Sequence, residues 1–225
     1  MYDGLLLDHD GVVVTIVEGS TLARAAWAAL RDAGVSDPDS EAAETLSVGV
    51  SRAELLEVSR RYDLDPDDLW RYRDDRVREE LLARARDGGK VPYDDVSALE
   101  AVDRPLGIAS NNQTRIVESI LDRYDLAGRF ETVRARTPRR ESLDRKKPRP
   151  TFLREAMADL DVENPLYVGD SESDVEAGQR AGLDVAFLRR DHNAGTVPSR
   201  DPTYTVDGLE EVVDILRTAD PAGRP

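Results

Sequence analysis

The chain has 225 residues, with 46 acidic against 31 basic side chains, a formal net charge of −15 and no cysteine. That length admits one large domain or a core with a smaller insert. The composition excludes disulfides, thiolate metal sites and a cysteine nucleophile, and argues against nucleic acid or anionic membranes as partners. No apolar run approaches the ~20 residues that span a bilayer. The opening MYDGLLLD has neither the basic flank nor the cleavage site of a secretory leader, so a cytoplasmic protein is expected.

The first element is a strand over residues 4–8, GLLLD, an apolar run of the kind buried on both faces in a parallel sheet. It ends in two acids, Asp8 and Asp10, ahead of Gly11. Three helical stretches follow. STLARAAWAALRDAG has a possible N-cap at Ser20 and places Leu22, Ala26, Ala29 and Leu30 on one stripe. SRAELLEVSRRY opens with Ser51 and Glu54 at capping-box spacing. DPDDLWRYRDDRVREELLARARDGG has Asp65 as N-cap and Pro66 in the first helical position.

From about residue 90 strand and helix alternate. PLGIAS (residues 105–110) precedes the helix QTRIVESILDRY, and FETVRA holds another short strand. Helix PTFLREAMADL, strand PLYVGD (165–170), helix SDVEAGQRAG, strand DVAFL and a last helix near GLEEVVDILR complete the series, and DPAGRP reads as a loose tail. Such alternation predicts the α/β class with a doubly wound parallel sheet. The helical block interrupts it directly after the first strand. The predicted organisation is therefore a core of residues 1–15 and 87–225, with residues 16–86 inserted as an all-helical cap over the sheet.

In an open parallel sheet, ligands bind beyond the carboxyl ends of the strands. Three of the predicted strands end there in polar groups: Asp8 with Asp10, Ser110 with Asn111, and Asp170 with Asp174. RKKPRP adds Lys146 and Lys147. Converging carboxylates repel one another unless a cation sits among them, and oxygen-only ligands favour a hard ion such as Mg²⁺. A divalent ion beside a lysine and a hydroxyl suits a dianion, phosphate above all. An aspartate can form an acyl phosphate, which gives Asp8 a task as nucleophile. Asp10 could then protonate the leaving oxygen and later activate water. The acid excess, with lysine kept at only three positions, suggests adaptation to high salt; two of those three lie in RKKPRP, which points to a chemical need for one there.

DHDG at residues 8–11, Ser110-Asn111 closing GIASN, Lys147 in KPRP and GDSESD at residues 169–174 occur in that order. Together they resemble the haloacid dehalogenase-like (HAD) superfamily of phosphohydrolases over nearly the whole chain. The resemblance implies a Rossmann-like core and Mg²⁺-dependent hydrolysis of a small phosphorylated metabolite. It implies that Asp8 attacks phosphorus and ligates the metal, and that Asp10 is the general acid and base, its backbone carbonyl a further ligand. Ser110 and the Asn111 amide would bind phosphoryl oxygens, Lys147 would neutralise charge, Asp170 would ligate the metal, and Asp174 would support the metal or Lys147.

The helical insert is similar to that of the subgroup containing phosphoglycolate phosphatase and beta-phosphoglucomutase. True haloacid dehalogenases lack an acid at the place of Asp10. GVSR (residues 49–52) resembles the segment with which mutases of the subgroup grip a second phosphate, so Arg52 is a candidate substrate-binding residue. VEGSTLARAAW lacks the histidine those mutases carry, so a phosphatase is expected over a mutase. A catalytically silent phosphate-binding protein is the remaining alternative, against which the intact set of acids and lysine argues; oligomeric state is left open. His9 stands where the family more often has an apolar residue, and alternation along the strand predicts that it turns away from the phosphoryl site into packing or support. His192, in RRDHNAG, is expected to be exposed.

Overall fold

The structure is a computed structural model that describes residues 1–218; the tail predicted at DPAGRP lies outside the described residues. The chain divides into two compact units, one of Met1–Ile16, Val91–Ala135 and the chain from Lys146 onward, the other of Val17–Lys90 with Arg136–Arg145.

The first unit is built on a six-stranded sheet of β1 (Leu5–Leu7), β2 (Leu106–Gln113), β3 (Thr132–Arg136), β4 (Leu166–Gly169), β5 (Val185–Leu188) and β6 (Tyr204–Val206), in the order β3-β2-β1-β4-β5-β6. The pairings of β1 with β2 and β4, and of β5 with β4 and β6, are all parallel. Leu5, Leu6 and Leu7 are wholly buried, as the unbroken apolar run predicts for a central parallel strand. The strands are linked through α5 (Thr114–Arg123), α6 (Thr151–Leu160) and α7 (Glu172–Ala181), and α8 (Leu209–Thr218) follows β6. Phe152, Leu153 and Ala156 of α6 and Val175 and Ala177 of α7 pack with Leu6, Ala109, Tyr167 and Val185 of the sheet. Each large side chain buried in this way contributes about 1.5–3 kcal/mol before entropy is charged against it. Leu7 is in register with Ile108 on one side and Val168 on the other, so the next residues, Asp8, Ala109 and Gly169, lie in one row.

The second unit holds α1 (Gly19–Asp32), α2 (Ser40–Thr45), α3 (Arg52–Arg61) and α4 (Pro66–Arg86). Ser51 and Glu54 form the predicted capping box of α3. Asp65 caps α4 by accepting from Asp67 and Asp68, ahead of Pro66. Ser20, in contrast, does not cap α1. The cap position is Glu18, and the Ser20 hydroxyl donates to the Glu18 carboxylate instead. The buried stripe of α1 is Thr21, Ala25, Ala26, Ala29 and Leu30, with Leu22 only partly covered.

The stretch read as core, residues 87–225, contains a segment that clusters with the helical unit. Arg136–Arg145 groups with the helices rather than with the sheet. Arg136 donates from both terminal nitrogens to Asp74, at 2.5 and 2.9 Å. Its guanidinium and that of Arg73 lie over the Trp70 ring, 4.8 and 5.1 Å from the centroid. Leu143 joins the apolar cluster of Ala26, Leu30, Leu46, Leu55 and Leu69. A buried ion pair deprived of one partner is strongly destabilising, so Asp74 ties the segment to the helices. No helix among the described residues is long and apolar enough to cross a membrane.

Candidate active site

The strand order reverses direction between β1 and β4, and in doubly wound sheets the crevice at such a switch is where ligands bind. Asp8 leaves β1 there, its backbone N–H donating to the Val168 carbonyl at 2.9 Å. One carboxylate oxygen from each of Asp8, Asp170 and Asp174 lies within 4.8 Å of the others. An all-oxygen set of this spacing suits a hard divalent cation.

Lys147 enters the group from the loop before α6. Its ammonium is 2.9 Å from Asp8 Oδ1 and 2.6 Å from Asp174 Oδ1, and it donates to the Ala109 carbonyl and the Tyr167 hydroxyl, both at 3.1 Å. Asn111 holds the loop at two points. Its Oδ1 accepts from the Lys147 N–H at 2.7 Å, and its Nδ2 donates to the Lys147 carbonyl at 3.1 Å.

Asp174 is built into the start of α7. It forms a capping box with Ser171, accepts from the Ser171 N–H and hydroxyl on Oδ2 at 3.0 and 2.5 Å, and accepts from the Tyr167 hydroxyl on Oδ1 at 2.6 Å. With Lys147 added, both oxygens are engaged, which suits Asp174 to anchoring the lysine. A Cβ on Gly169 would come within 2.2 Å of the Asp174 Cβ, so this close approach requires glycine.

Asp170 accepts from His192 Nε2 at 2.6 Å on Oδ2, and its backbone carbonyl accepts from Asn193 Nδ2 at 2.7 Å. His192 is exposed, as expected, and its ring nevertheless reaches the site, with a fifth of the side chain accessible. Gly11 has φ +83°, and a Cβ there would lie 1.9 Å from Asp170 Oδ2, so both conformation and space call for glycine. Asp10 accepts from Asn112 Nδ2 at 2.9 Å and faces His9 Nδ1 at 3.2 Å, both on Oδ2. Ser110 is buried, its hydroxyl accepting from the Asn112 N–H at 3.2 Å. Arg52 lies in the helical unit, where it donates to Asp144 at 2.6 Å.

The electrostatics follow from crowding. Burial pushes the Asp8 carboxyl up to about 8; Lys147 opposes the shift, and Asp174, Asp170 and Asp10 add to it. Burial likewise raises Asp170, against the pull of His192. Burial disfavours the charged form of Lys147, yet Asp174 and Asp8 more than offset it and hold the ammonium above its usual range. Asp174 is held below the carboxylate range because Lys147, Ser171 and Tyr167 outweigh its burial. Asp8 thus carries the repulsion that a cation would relieve.

The geometry adds four residues to those predicted: Tyr167, Asn112, His192 and Asn193. Tyr167 is the one polar atom in an otherwise aliphatic strand, and a hydroxyl there needs a partner. The second asparagine of GIASNN and the HN pair after DVAFL sit at carboxyl ends of strands, the place where polar residues converge.

Fold and rim together define a Rossmann-like α/β scaffold with a carboxylate–lysine centre. The chain belongs to the haloacid dehalogenase-like hydrolase family, which matches residues 3–188. Among curated proteins, it is 25% identical to an N-acetylmuramic acid 6-phosphate phosphatase of Pseudomonas aeruginosa, over 96% of this chain and 92% of that protein. It is 28% identical to a phosphoglycolate phosphatase of Aquifex aeolicus, over 56% of this chain and 57% of that one. Against the curated phosphoglycolate phosphatases the chain spans only about half of their length. Among solved structures, CbbY from Rhodobacter sphaeroides in complex with phosphate superimposes with a TM-score of 0.69 at 19% identity, covering 94% of this chain and 96% of that one. Beta-phosphoglucomutase from Clostridium difficile gives 0.67 at 16%, covering 97% and 96%.

Proposed function

We propose that the protein is a cytoplasmic, Mg²⁺-dependent phosphatase that hydrolyses a small phosphate monoester through an aspartyl phosphate on Asp8. The observation that carries this reading is the convergence of Asp8, Asp170 and Asp174, with the Lys147 ammonium held between Asp8 and Asp174. Phosphatases among the relatives support it.

In the first step an Asp8 carboxylate oxygen bonds to phosphorus as the ester P–O bond breaks, and Asp10 passes its proton to the departing oxygen. In the second, water attacks phosphorus, its proton goes to Asp10, and the bond from phosphorus to Asp8 breaks. Lys147 neutralises charge on Asp8 and the phosphoryl group, while the Ser110 hydroxyl and the Asn111 amide hold phosphoryl oxygens. Asp8, Asp170 and the Asp10 carbonyl would hold a divalent ion, which would supply the positive charge that lets a phosphate dianion approach an anionic nucleophile. Asp174 fixes Lys147 from behind. The mutase reading has less support, because Arg52, the expected grip on a second phosphate, is engaged by Asp144.

The test is hydrolysis of p-nitrophenyl phosphate with Mg²⁺, with and without EDTA, in low and in molar salt. A panel including 2-phosphoglycolate and N-acetylmuramic acid 6-phosphate then addresses the substrate. Absence of metal-dependent turnover in both salts overturns the reading.

A further inference from the structure

Between the two acids of the rim stands His9, with no exposed surface. Its backbone serves the turn: the N–H donates to Asp8 Oδ1 at 2.7 Å, and the carbonyl accepts from Val13 and Val14 at 3.0 Å each. Any residue's backbone could do this, and none of it calls for an imidazole. The side chain is specific. Nδ1 lies 3.2 Å from Asp10 Oδ2, while Nε2 is buried without a hydrogen-bond partner. A ring with a carboxylate opposite one nitrogen and nothing opposite the other carries its proton on the first, so Nδ1–H donates to Asp10. An orphaned buried nitrogen is destabilising, a cost that an apolar residue of similar size would avoid.

We propose that His9 is a positioning residue that, together with Asn112, fixes the carboxyl of Asp10. Both donors meet Oδ2, Asn112 Nδ2 at 2.9 Å and His9 Nδ1 at 3.2 Å. The outer torsion of an aspartate is broad and two-fold; the paired donors stop the rotation that would exchange the oxygens. The inference rests on the proposed role of Asp10 as acid and base.

The experiment measures kcat/KM for a series of aryl phosphates, from p-nitrophenyl to phenyl phosphate, on the full chain with Mg²⁺. A nitrophenolate departs without a proton and a phenolate needs one, so the slope of rate against leaving-group basicity reads proton donation. Asp10→Asn should steepen that slope. His9→Leu fills the space without a donor and should steepen it too, losing about 10- to 100-fold on phenyl phosphate with little loss on p-nitrophenyl phosphate. His9→Asn leaves space unfilled but puts an amide nitrogen where Nδ1 was, and should keep the shallow slope. Packing alone would rank the variants the other way, leucine above asparagine, and scale every substrate by one factor; either result overturns the proposal. His9→Met is a second donor-less variant for the case in which the leucine one does not fold. A shallow slope in Asp10→Asn would sink the acid–base reading itself, whereas a steep one there beside a shallow one in the leucine and methionine variants would sink only the role of His9.

Discussion

Replacing Asp8 by asparagine should abolish turnover and, in the absence of metal, stabilise the fold in a pH-dependent way. Asp8 is only 8% exposed, faces Asp10, Asp170 and Asp174, and has Lys147 as its cation at 2.9 Å. Its carboxyl is raised from 3.8 to about 8 by burial, with Lys147 resisting and the three acids adding. Between those two values the folded state keeps a proton that the unfolded state has released. The native state therefore binds more protons than the unfolded one, and stability falls as pH rises through the window, at no more than about 1.4 kcal/mol per pH unit. From about pH 5 to about pH 7 the wild type should lose on the order of 3 kcal/mol to this one group, or roughly 5–10 °C in Tm for a chain of this size. Asparagine keeps the shape and does not titrate, and the other groups are common to both proteins. Thermal melts in EDTA, followed by circular dichroism, should show the variant gaining on the wild type as pH rises, with added Mg²⁺ narrowing the gap. A Tm difference that stays constant across the window would refute the reasoning, since it would mean that Asp8 is ionised throughout.

The same protonation makes a cation compete with a proton, so Mg²⁺ affinity should rise by up to about tenfold per unit between pH 6 and pH 8. Calorimetry in buffers of different ionisation enthalpy should detect a proton released on binding, and zero release contradicts it. Lys147→Met leaves Asp8 and Asp174 without their cation, and should cost about 3–5 kcal/mol in urea unfolding as well as turnover; a small loss of stability would show that the carboxylates do not depend on it. Gly11→Ala forces φ +83° on a side chain whose Cβ meets Asp170 Oδ2. A strain of about 1–3 kcal/mol and a clear loss of Mg²⁺ affinity are expected, and unchanged affinity would argue against Asp170 as a ligand.

What was legible in the sequence was local or periodic. The leucine run of β1, the Ser51–Glu54 box and the Asp65-Pro66 start each rest on a few adjacent residues. The acids and the lysine were legible because polar residues at carboxyl ends of parallel strands have one rim to share. What escaped depends on contacts across long separations or on very short elements. Arg136 belongs with the helices only because Asp74, 62 residues away, receives it. The six residues of α2 are too few to show a period, and β6 has three. Ser20 had the chemistry of a cap, but its hydroxyl found the Glu18 carboxylate. His192 is exposed as its loop suggests, but its contact with the site escaped because Asp170 is 22 positions away.

The hydrogen bonds divide the carboxylates of the rim by task. Asp174 is saturated: Lys147 and Tyr167 take one oxygen, and the Ser171 N–H and hydroxyl take the other, so its charge is spent on structure and its carboxyl is held low. Lys147 is equally committed, with two carboxylates, a carbonyl and a hydroxyl around one ammonium, which makes it a fixed positive charge and a poor proton donor. The charge that remains adjustable lies on Asp8 and Asp170, both raised by burial. A site in which the anchoring carboxyl is held low and the working ones are raised is one whose repulsion is concentrated where a cation and a phosphoryl group can relieve it. Such concentration is the structural form of electrostatic preorganisation, in which the protein bears the cost of gathering charge before the substrate arrives.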